Sequence, residues 1–426
     1  MTTQEIRARR VRAGGRLPTM CPRRASMCAA LVYMWMCITG LAFAQQPLDL
    51  HTTLMAAESA NLELRAARQQ RALALAGLTT ARQLPNPTVS FTAARDTPHE
   101  GVLLDIPIEL GGKRGKRVAV AREEQKGTDI DIAVLARQIR RRTREAFFRS
   151  LSAREQTGQA KNALDLATRI RDLAQQRYEA GDVAQLEVLQ ADVEVARTSA
   201  DYETTAQAQR SADVALAALL NRNLEAPLSL QAQLQEIPPE PTLPTVTEQA
   251  MASSGDLLKT AQDLKTEERR LDLAKAQKIP NIDLSGGTDF NSPPDFRVGG
   301  KGGIAVTLPL FYHGQGEVAQ STARLELLRA TLASQRTNVA AEIAGAYFDY
   351  VAKVHQVQQY RERVVPETVR LEQMAEDSYQ SGKTSLLILL DAQRRLNEVR
   401  KAYLDALFAA QSSFATLEEA VGAPLD

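Results

Sequence analysis

The chain has 426 residues, of which 44% are hydrophobic, 5% aromatic and 24% charged, and its formal net charge is +1 at pH 7. That length suggests two or three ordinary domains, near-neutrality leaves no footprint for nucleic acid, and so few aromatics are thin for one large compact core. Cys21, Cys28 and Cys37 all precede residue 45, so a chain beginning at Gln45 excludes disulfides, thiolate catalysis and Cys-based metal sites.

Residues 1–44 hold seven arginines and one acid, Glu5. Arg23-Arg24 precede an apolar run, "MCAALVYMWMCITGLAFA" (27–44), which closes on Ala42-Phe43-Ala44. A basic flank, a short apolar stretch and a small-residue ending predict a secretory signal peptide over 1–44, with Met20 as an alternative start. The competing reading is an uncleaved anchor, because the apolar run is of borderline length for a span. Without this segment the chain has 45 basic and 50 acidic residues, a net charge of −5. Beyond residue 44 no run of 18 apolar residues follows, so the sequence offers no further helical route into a membrane.

A helical pattern covers about 48–83. Strand-like runs follow at 88–95 and 102–109, then helical segments at about 113–177 and 183–223. A proline-rich joint, "EIPPEPTLPT" (236–245), leads into the same order again. The second set is helical at 245–278, strand-like at 282–290 and 303–310, and helical at 316–378 and 384–421. Leu84-Pro85-Asn86 recurs as Ile279-Pro280-Asn281, and Pro107 in "DIPIELGGKRG" stands opposite Pro309 in "TLPLFYHGQG". "REAFFRSLSAREQ" (144–156) matches "AGAYFDYVAKVHQ" (344–356). "RYEAGDVAQLEVLQADVEVARTSADY" (177–202) matches "SYQSGKTSLLILLDAQRRLNEVRKAY" (378–403). The chain therefore divides into a first repeat at 45–240, with a β-hairpin at about 87–110, and a second at 241–426, with a hairpin at about 282–311.

The last helix carries a heptad. Leu389, Leu396, Tyr403, Ala410 and Leu417 lie seven apart, with Ala392, Val399, Ala406, Ser413 and Ala420 at the second seam position. Val188, Val195, Tyr202, Gln209 and Leu216 repeat it less cleanly in the first copy. At 1.5 Å per residue, some 60 helical residues would run about 90 Å, several times the width of a compact domain. Small second-row residues suit helices tiled edge to edge.

The strand runs alternate. Val89, Phe91, Val102, Leu104, Ile106 and Ile108 in the first hairpin, and Ile304, Val306, Leu308 and Leu310 in the second, are expected to face lipid. Thr88, Ser90, Asp105 and Glu109 point the other way. Four strands cannot close a conducting barrel, and an open sheet in lipid leaves costly unpaired backbone groups, so three chains are expected to supply twelve strands. Gly111-Gly112 and Gly314/Gly316 would turn strand into helix, and Lys113, Arg114, Lys116 and Arg117 would meet lipid headgroups. "GGKRGK" lacks phosphate-loop spacing, since Arg117 follows Lys116.

The duplicated order, "LPNP" (84–87), "ELGGKRGKRVAVARE" (109–123) and the paired YxxG turns resemble the TolC-like outer membrane factor family, and most of all its heavy-metal cation efflux, CzcC-like branch. The resemblance spans about 48–422. It implies a mainly α fold with a small β part. Long coiled-coil helices would form a trimeric α-barrel in the periplasm, and four strands per chain a 12-stranded transmembrane β-barrel in the outer membrane of a Gram-negative bacterium. It implies a homotrimeric exit duct that passively conducts cargo, heavy-metal cations above all, from an RND-type inner-membrane pump through a periplasmic adaptor.

The alternatives are a drug-efflux or type I secretion duct of the same architecture, and a soluble periplasmic coiled-coil adaptor or scaffold. The resemblance also places adaptor contacts at the helical tips, at Gly181, Asp182, Val183, Ala184, Gly382, Lys383, Thr384 and Ser385. It places an entrance gate at Asp391, with Ile388 one turn earlier and Gln190 as the first-copy equivalent. No nucleophile–base pair or phosphate loop stands out, and His51, His99, His313 and His355 are scattered, so neither enzyme chemistry nor a cofactor nor a metal site is expected.

Overall fold

Side-chain caps start the first helices. The Asp49 carboxylate accepts from the Thr52 N–H at 2.8 Å and opens α1 (Leu50–Ala60). Asn61 Oδ1 accepts from the Leu64 N–H at 3.1 Å and opens α2 (Leu62–Arg82), while its amide donates to the Leu219 carbonyl. The computed structural model describes residues 48–292 and 294–425, and the expected signal peptide at 1–44 lies outside the described residues.

The first copy continues with β1 (Thr88–Ala93), β2 (Glu100–Ile108), α3 (Lys113–Glu179) and α4 (Gln185–Leu219). The 67 residues of α3 form one unbroken helix about 100 Å long. The second copy repeats the order with α5 (Leu243–Ser253), α6 (Gly255–Gln277), β3 (Ile282–Ser292), β4 (Phe296–Val306), α7 (Gln315–Gln359), α8 (Val365–Gln380) and α9 (Leu386–Val421).

One expected helix is in fact two. The stretch predicted as continuous over 316–378 is interrupted by a π turn, Tyr360–Val364, in which the Val365 N–H donates to the Tyr360 carbonyl. The cause is a one-residue difference between the copies. Phe148 stands opposite Phe348, 200 residues on, but Tyr178 stands opposite Tyr379, 201 residues on. A π turn takes up one extra residue while keeping the faces on either side in phase. Pro366, just beyond it, has no N–H to donate and so favours an irregular turn at this place.

The four strands form one antiparallel sheet in the order β1-β2-β3-β4. Val89 pairs with Leu104, Ile106 with Leu284 and Leu284 with Ile304, so both hairpins share one continuous ladder. The second hairpin is longer than expected because β4 begins at Phe296, where "FRVGGKGG" masks the period-2 signal with glycine. Pro107 lies in β2 beyond Asp105, the last residue that β1 reaches, so its missing N–H costs no bond to β1.

The heptad rows are core. Leu389, Leu396, Ala410 and Leu417, with Ala392, Ala406 and Ser413, are all buried, and so are Val188 and Leu216 on α4. Midway along the bundle a buried ion pair ties α3 to α9: Arg144 donates to Glu418 at 2.8 Å and lies 4.6 Å from the centre of the Phe414 ring. The proline-rich joint is packed rather than free, since Gln411 donates to the Glu236 carbonyl at 2.7 Å and the buried Tyr350 hydroxyl donates to that of Pro238. Tyr350→Phe should therefore cost about 1–3 kcal/mol by orphaning that carbonyl. It is measured as a lower midpoint in denaturant melts followed by circular dichroism.

Candidate membrane wall and helical entrance

The sheet register sorts the strand residues onto two faces. Val89, Leu104, Ile106 and Ile108 share a face with Ile282, Leu284, Ile304 and Val306, and Phe91 and Val102 continue it. Phe290 and Val298 belong to this face too, and Val298 is followed by Gly299-Gly300, which carry no side chain to show an alternation in the sequence. The opposite face carries Thr88, Ser90, Asp105, Asp283, Ser285 and Asp289, the last ion-paired to Lys301 at 2.6 Å. Leu103 is an apolar exception on the polar side, where it lies against Gly287.

Leu308 and Leu310, expected on the strand, lie beyond its end at Val306. The partner strand starts at Ile282, opposite Val306, so nothing remains to pair with. Pro309 removes a donor, and the chain turns tightly, with the Leu310 N–H donating to the Leu308 carbonyl at 2.9 Å. Both side chains are exposed. Gly316 likewise lies inside α7 rather than at the turn, where Gly314 takes φ +65°, matching Gly112 at +67°.

The basic collar has hydrogen-bond and ion-pair partners inside the chain. Arg114 Nε donates to the Arg82 carbonyl at 2.6 Å, and Arg117 donates to that of Gln83 at 3.2 Å. The last carbonyls of α2 have no intrahelical partner and carry the negative end of its dipole, so cations are favoured there. Arg117 also clasps Glu109 and holds its carboxyl below the usual range. Lys113 reaches Asn281 at 2.5 Å, and Lys116 reaches Asp272 at 3.5 Å.

At the far end of the long helices, both hairpins turn in the same way. Gly181 and Gly382 take φ +81° and +70°, a region where a side chain is strained. Asp182 N–H bonds the Arg177 carbonyl at 2.8 Å and Lys383 N–H that of Ser378 at 2.9 Å, so both turns close with the same cap. Asp182, Ala184, Lys383 and Ser385 are exposed, and Val183 and Thr384 are half-buried.

The two tips differ in one respect that the sequence did not reveal. Tyr379 is buried, its hydroxyl donates to Glu187 Oε2 at 3.3 Å, and the Arg177 guanidinium lies 5.1 Å from its ring centre. Burial, and then the Glu187 charge, push the Tyr379 hydroxyl above its ordinary pKa. Tyr178, its equivalent, is exposed.

Asp391 and Ile388 both lie exposed on α9, where Asp391 accepts from Arg395 at 2.9 Å; Gln190 is half-buried on α4. Close by is a clamp that also escaped sequence reading. Buried Glu194 accepts from Arg197 Nε at 3.2 Å and from Arg394 Nε and Nη2 at 3.0 and 2.7 Å. Burial would raise its pKa, but the two guanidinium groups outweigh burial and hold it below the usual range. The pattern gave no sign of this pair, because in the second copy the same places hold Arg395 and Glu398.

Among the described residues no helix is long and apolar enough to cross a membrane, and no group of three or more His, Cys, Asp and Glu could hold a metal ion.

Comparison with known proteins gives a family match over residues 53–222 and 246–423, described as outer membrane efflux protein. The chain is 25% identical over 382 residues to the cobalt-zinc-cadmium resistance protein CzcC of Cupriavidus metallidurans, covering 89% of this chain and 91% of that protein. It is 22% identical over 339 residues to the pyoverdine export outer membrane protein OpmQ of Pseudomonas aeruginosa, covering 77% and 69% respectively. The fold resembles the crystal structure of CusC, with a TM-score of 0.72 at 18% identity over 88% of this chain and 92% of that one.

Glu194→Gln should cost about 1.5–3 kcal/mol at neutral pH by removing charge-assisted hydrogen bonds. A carboxyl held below its unfolded value stabilises the fold above that value and loses the effect as pH falls through the folded one. The gap between wild type and Glu194→Gln is thus widest at pH 7 and closes below about pH 4, measured in melts at both ends.

Proposed function

Because this chain belongs to the outer membrane efflux protein family, we propose that it is the outer-membrane exit duct of a tripartite efflux system. The observation that carries this reading is the register of the sheet, which gathers ten or more apolar side chains on one face while leaving β1 and β4 as open edges. A sheet with a lipid-compatible face and two unpaired edges needs neighbours, and three copies supply the twelve strands of a closed wall. Val89, Phe91, Val102, Leu104, Ile106, Ile108, Ile304 and Val306 then face lipid, and Asp105, Asp283 and Ser285 face the lumen.

In this reading the long helices cross the periplasm and their tips meet an adaptor protein at Asp182–Ala184 and Lys383–Ser385. Asp391 lines the entrance, and energy comes from an inner-membrane pump. The chain acts as a conduit and performs no chemistry. Similarity to CzcC along nearly the full length of both chains supports divalent metal cations as the cargo. The likeness to OpmQ favours a second reading, an organic cargo passing through the same wall.

Leu104→Arg should cost about 2–4 kcal/mol per chain at mid-bilayer and abolish assembly in the outer membrane, whereas Ser285→Arg on the opposite face should assemble. Membrane fractionation and heat-modifiability on gels separate the two; equal assembly of both would refute the lipid-facing assignment. Deleting the gene should lower tolerance to cobalt, zinc and cadmium. Unchanged metal tolerance with lost tolerance to organic compounds would favour the second cargo. Asp391→Ala should raise single-channel conductance in planar bilayers.

A further inference from the structure

Toward the Gly181 and Gly382 turns, one cavity is walled by α3, α4, α8 and α9 together. It measures about 230 Å³, and its polar lining includes Arg169 of α3, Glu194 of α4, Glu372 of α8, and Gln393, Asn397 and Arg400 of α9. Helix packing does not demand polar groups at these places, since Asn397 and Arg400 stand opposite Ala196 and Ser199, 201 residues earlier.

The cavity has donors without acceptors. Gln393 is 7% exposed, yet its amide Nε2 has no hydrogen-bond partner among the described residues. A buried donor in that state is costly, and native folds satisfy nearly all of them. Arg400 makes no hydrogen bond or salt bridge among the described residues, and Arg169 donates only to the Asp165 carbonyl one turn back, at 3.3 Å. Glu194 is already held by Arg197 and Arg394. Glu372 is the remaining carboxyl. Burial and then the Glu376 charge push it up, against the pull of Arg400 and of the Gln393 amide, which lies near it without reaching bonding geometry. Two guanidinium groups and an orphaned amide thus stand against one carboxyl that its surroundings hold closer to neutral.

We propose that this cavity binds a small oxyanion with several acceptor oxygens, of which inorganic phosphate is the simplest, between Arg169, Arg400 and the Gln393 amide. Guanidinium donors form a fork that matches such oxygens. The bound ion gives the Gln393 donor its acceptor and neutralises both arginines. It also ties α3 of the first copy to α9 of the second within one chain, whatever cargo the protein carries.

The test is a calorimetric titration of the full-length protein in detergent with inorganic phosphate, at an ionic strength fixed with chloride. Wild type should bind phosphate, and Arg400→Gln should bind it about ten-fold more weakly or worse, the loss of a charge-assisted hydrogen bond. Glu372→Gln removes the opposing charge and should bind more tightly. Arg370→Gln, which removes a charge at the exposed place 201 residues after Arg169, should bind as wild type does. Gln393→Leu, which deletes the buried donor and should also weaken binding, serves if Arg400→Gln does not fold. No binding by wild type would mean that the cavity holds water only. Equal binding by wild type, Arg400→Gln and Gln393→Leu would place the phosphate elsewhere, and either result overturns the site.

Discussion

A backbone N–H or C=O left unpaired in hydrocarbon costs several kcal/mol, and the sheet of this chain ends in two strands, β1 and β4, that have no further neighbour among the described residues. The rest of the architecture can be derived from that constraint. Four strands with one apolar face cannot sit in lipid alone, so the wall has to be completed by other strands of the same register. On the proposed reading, closure by identical copies sets a common axis, and the helices that leave the sheet then run side by side around it. Their heptad rows, with Ala and Ser at the second position, permit such close tiling. The glycine turns at Gly112 and Gly314 and the cations drawn onto the α2 carbonyls fix the angle at which strand becomes helix.

Much of this was legible in the sequence, because it depends on periodicity. The heptad from Leu389 to Leu417 predicted the buried seam, and the alternation in 102–109 predicted the face of β2. Matching motifs located both hairpins and both helical tips. What escaped was set by contacts rather than by period. The register carries the apolar face on to Val298, but glycines follow it, and glycine has no side chain by which to show a pattern. Leu308 and Leu310 continue the alternation but not the strand, since strand length is decided by where the partner begins. The in-chain acceptors of the collar Lys113 to Arg117, the Arg82 and Gln83 carbonyls and Asp272, could not be read from the sequence because they lie far away in it or are backbone atoms. The π turn at Tyr360–Val364 was foreshadowed only by a difference of one in the repeat offset.

The two copies are alike in backbone and unlike in chemistry, and the difference has a physical cause. Hairpins tethered in one chain meet at high effective concentration, so their joint can rest on directional polar contacts of small net free energy. The clasp of Glu194 by Arg394 and the bond from Tyr379 to Glu187 are contacts of this kind. Association between separate chains loses translational and rotational freedom worth roughly 4–15 kcal/mol, and apolar burial is the larger and less orientation-dependent source of compensation. Leu371, Met374, Leu189 and Phe348 are exposed apolar side chains at which such burial would be gained, and Val193, the first-copy equivalent of Arg394, needs no ionic partner. On the proposed reading, one duplicated fold has a joint inside the chain that is held in register by charge and leaves apolar surface on which association between chains would draw. A chain with two charged joints would associate weakly at physiological salt, where exposed ion pairs are screened, and a chain with two apolar joints would lose the register that its helical tips need.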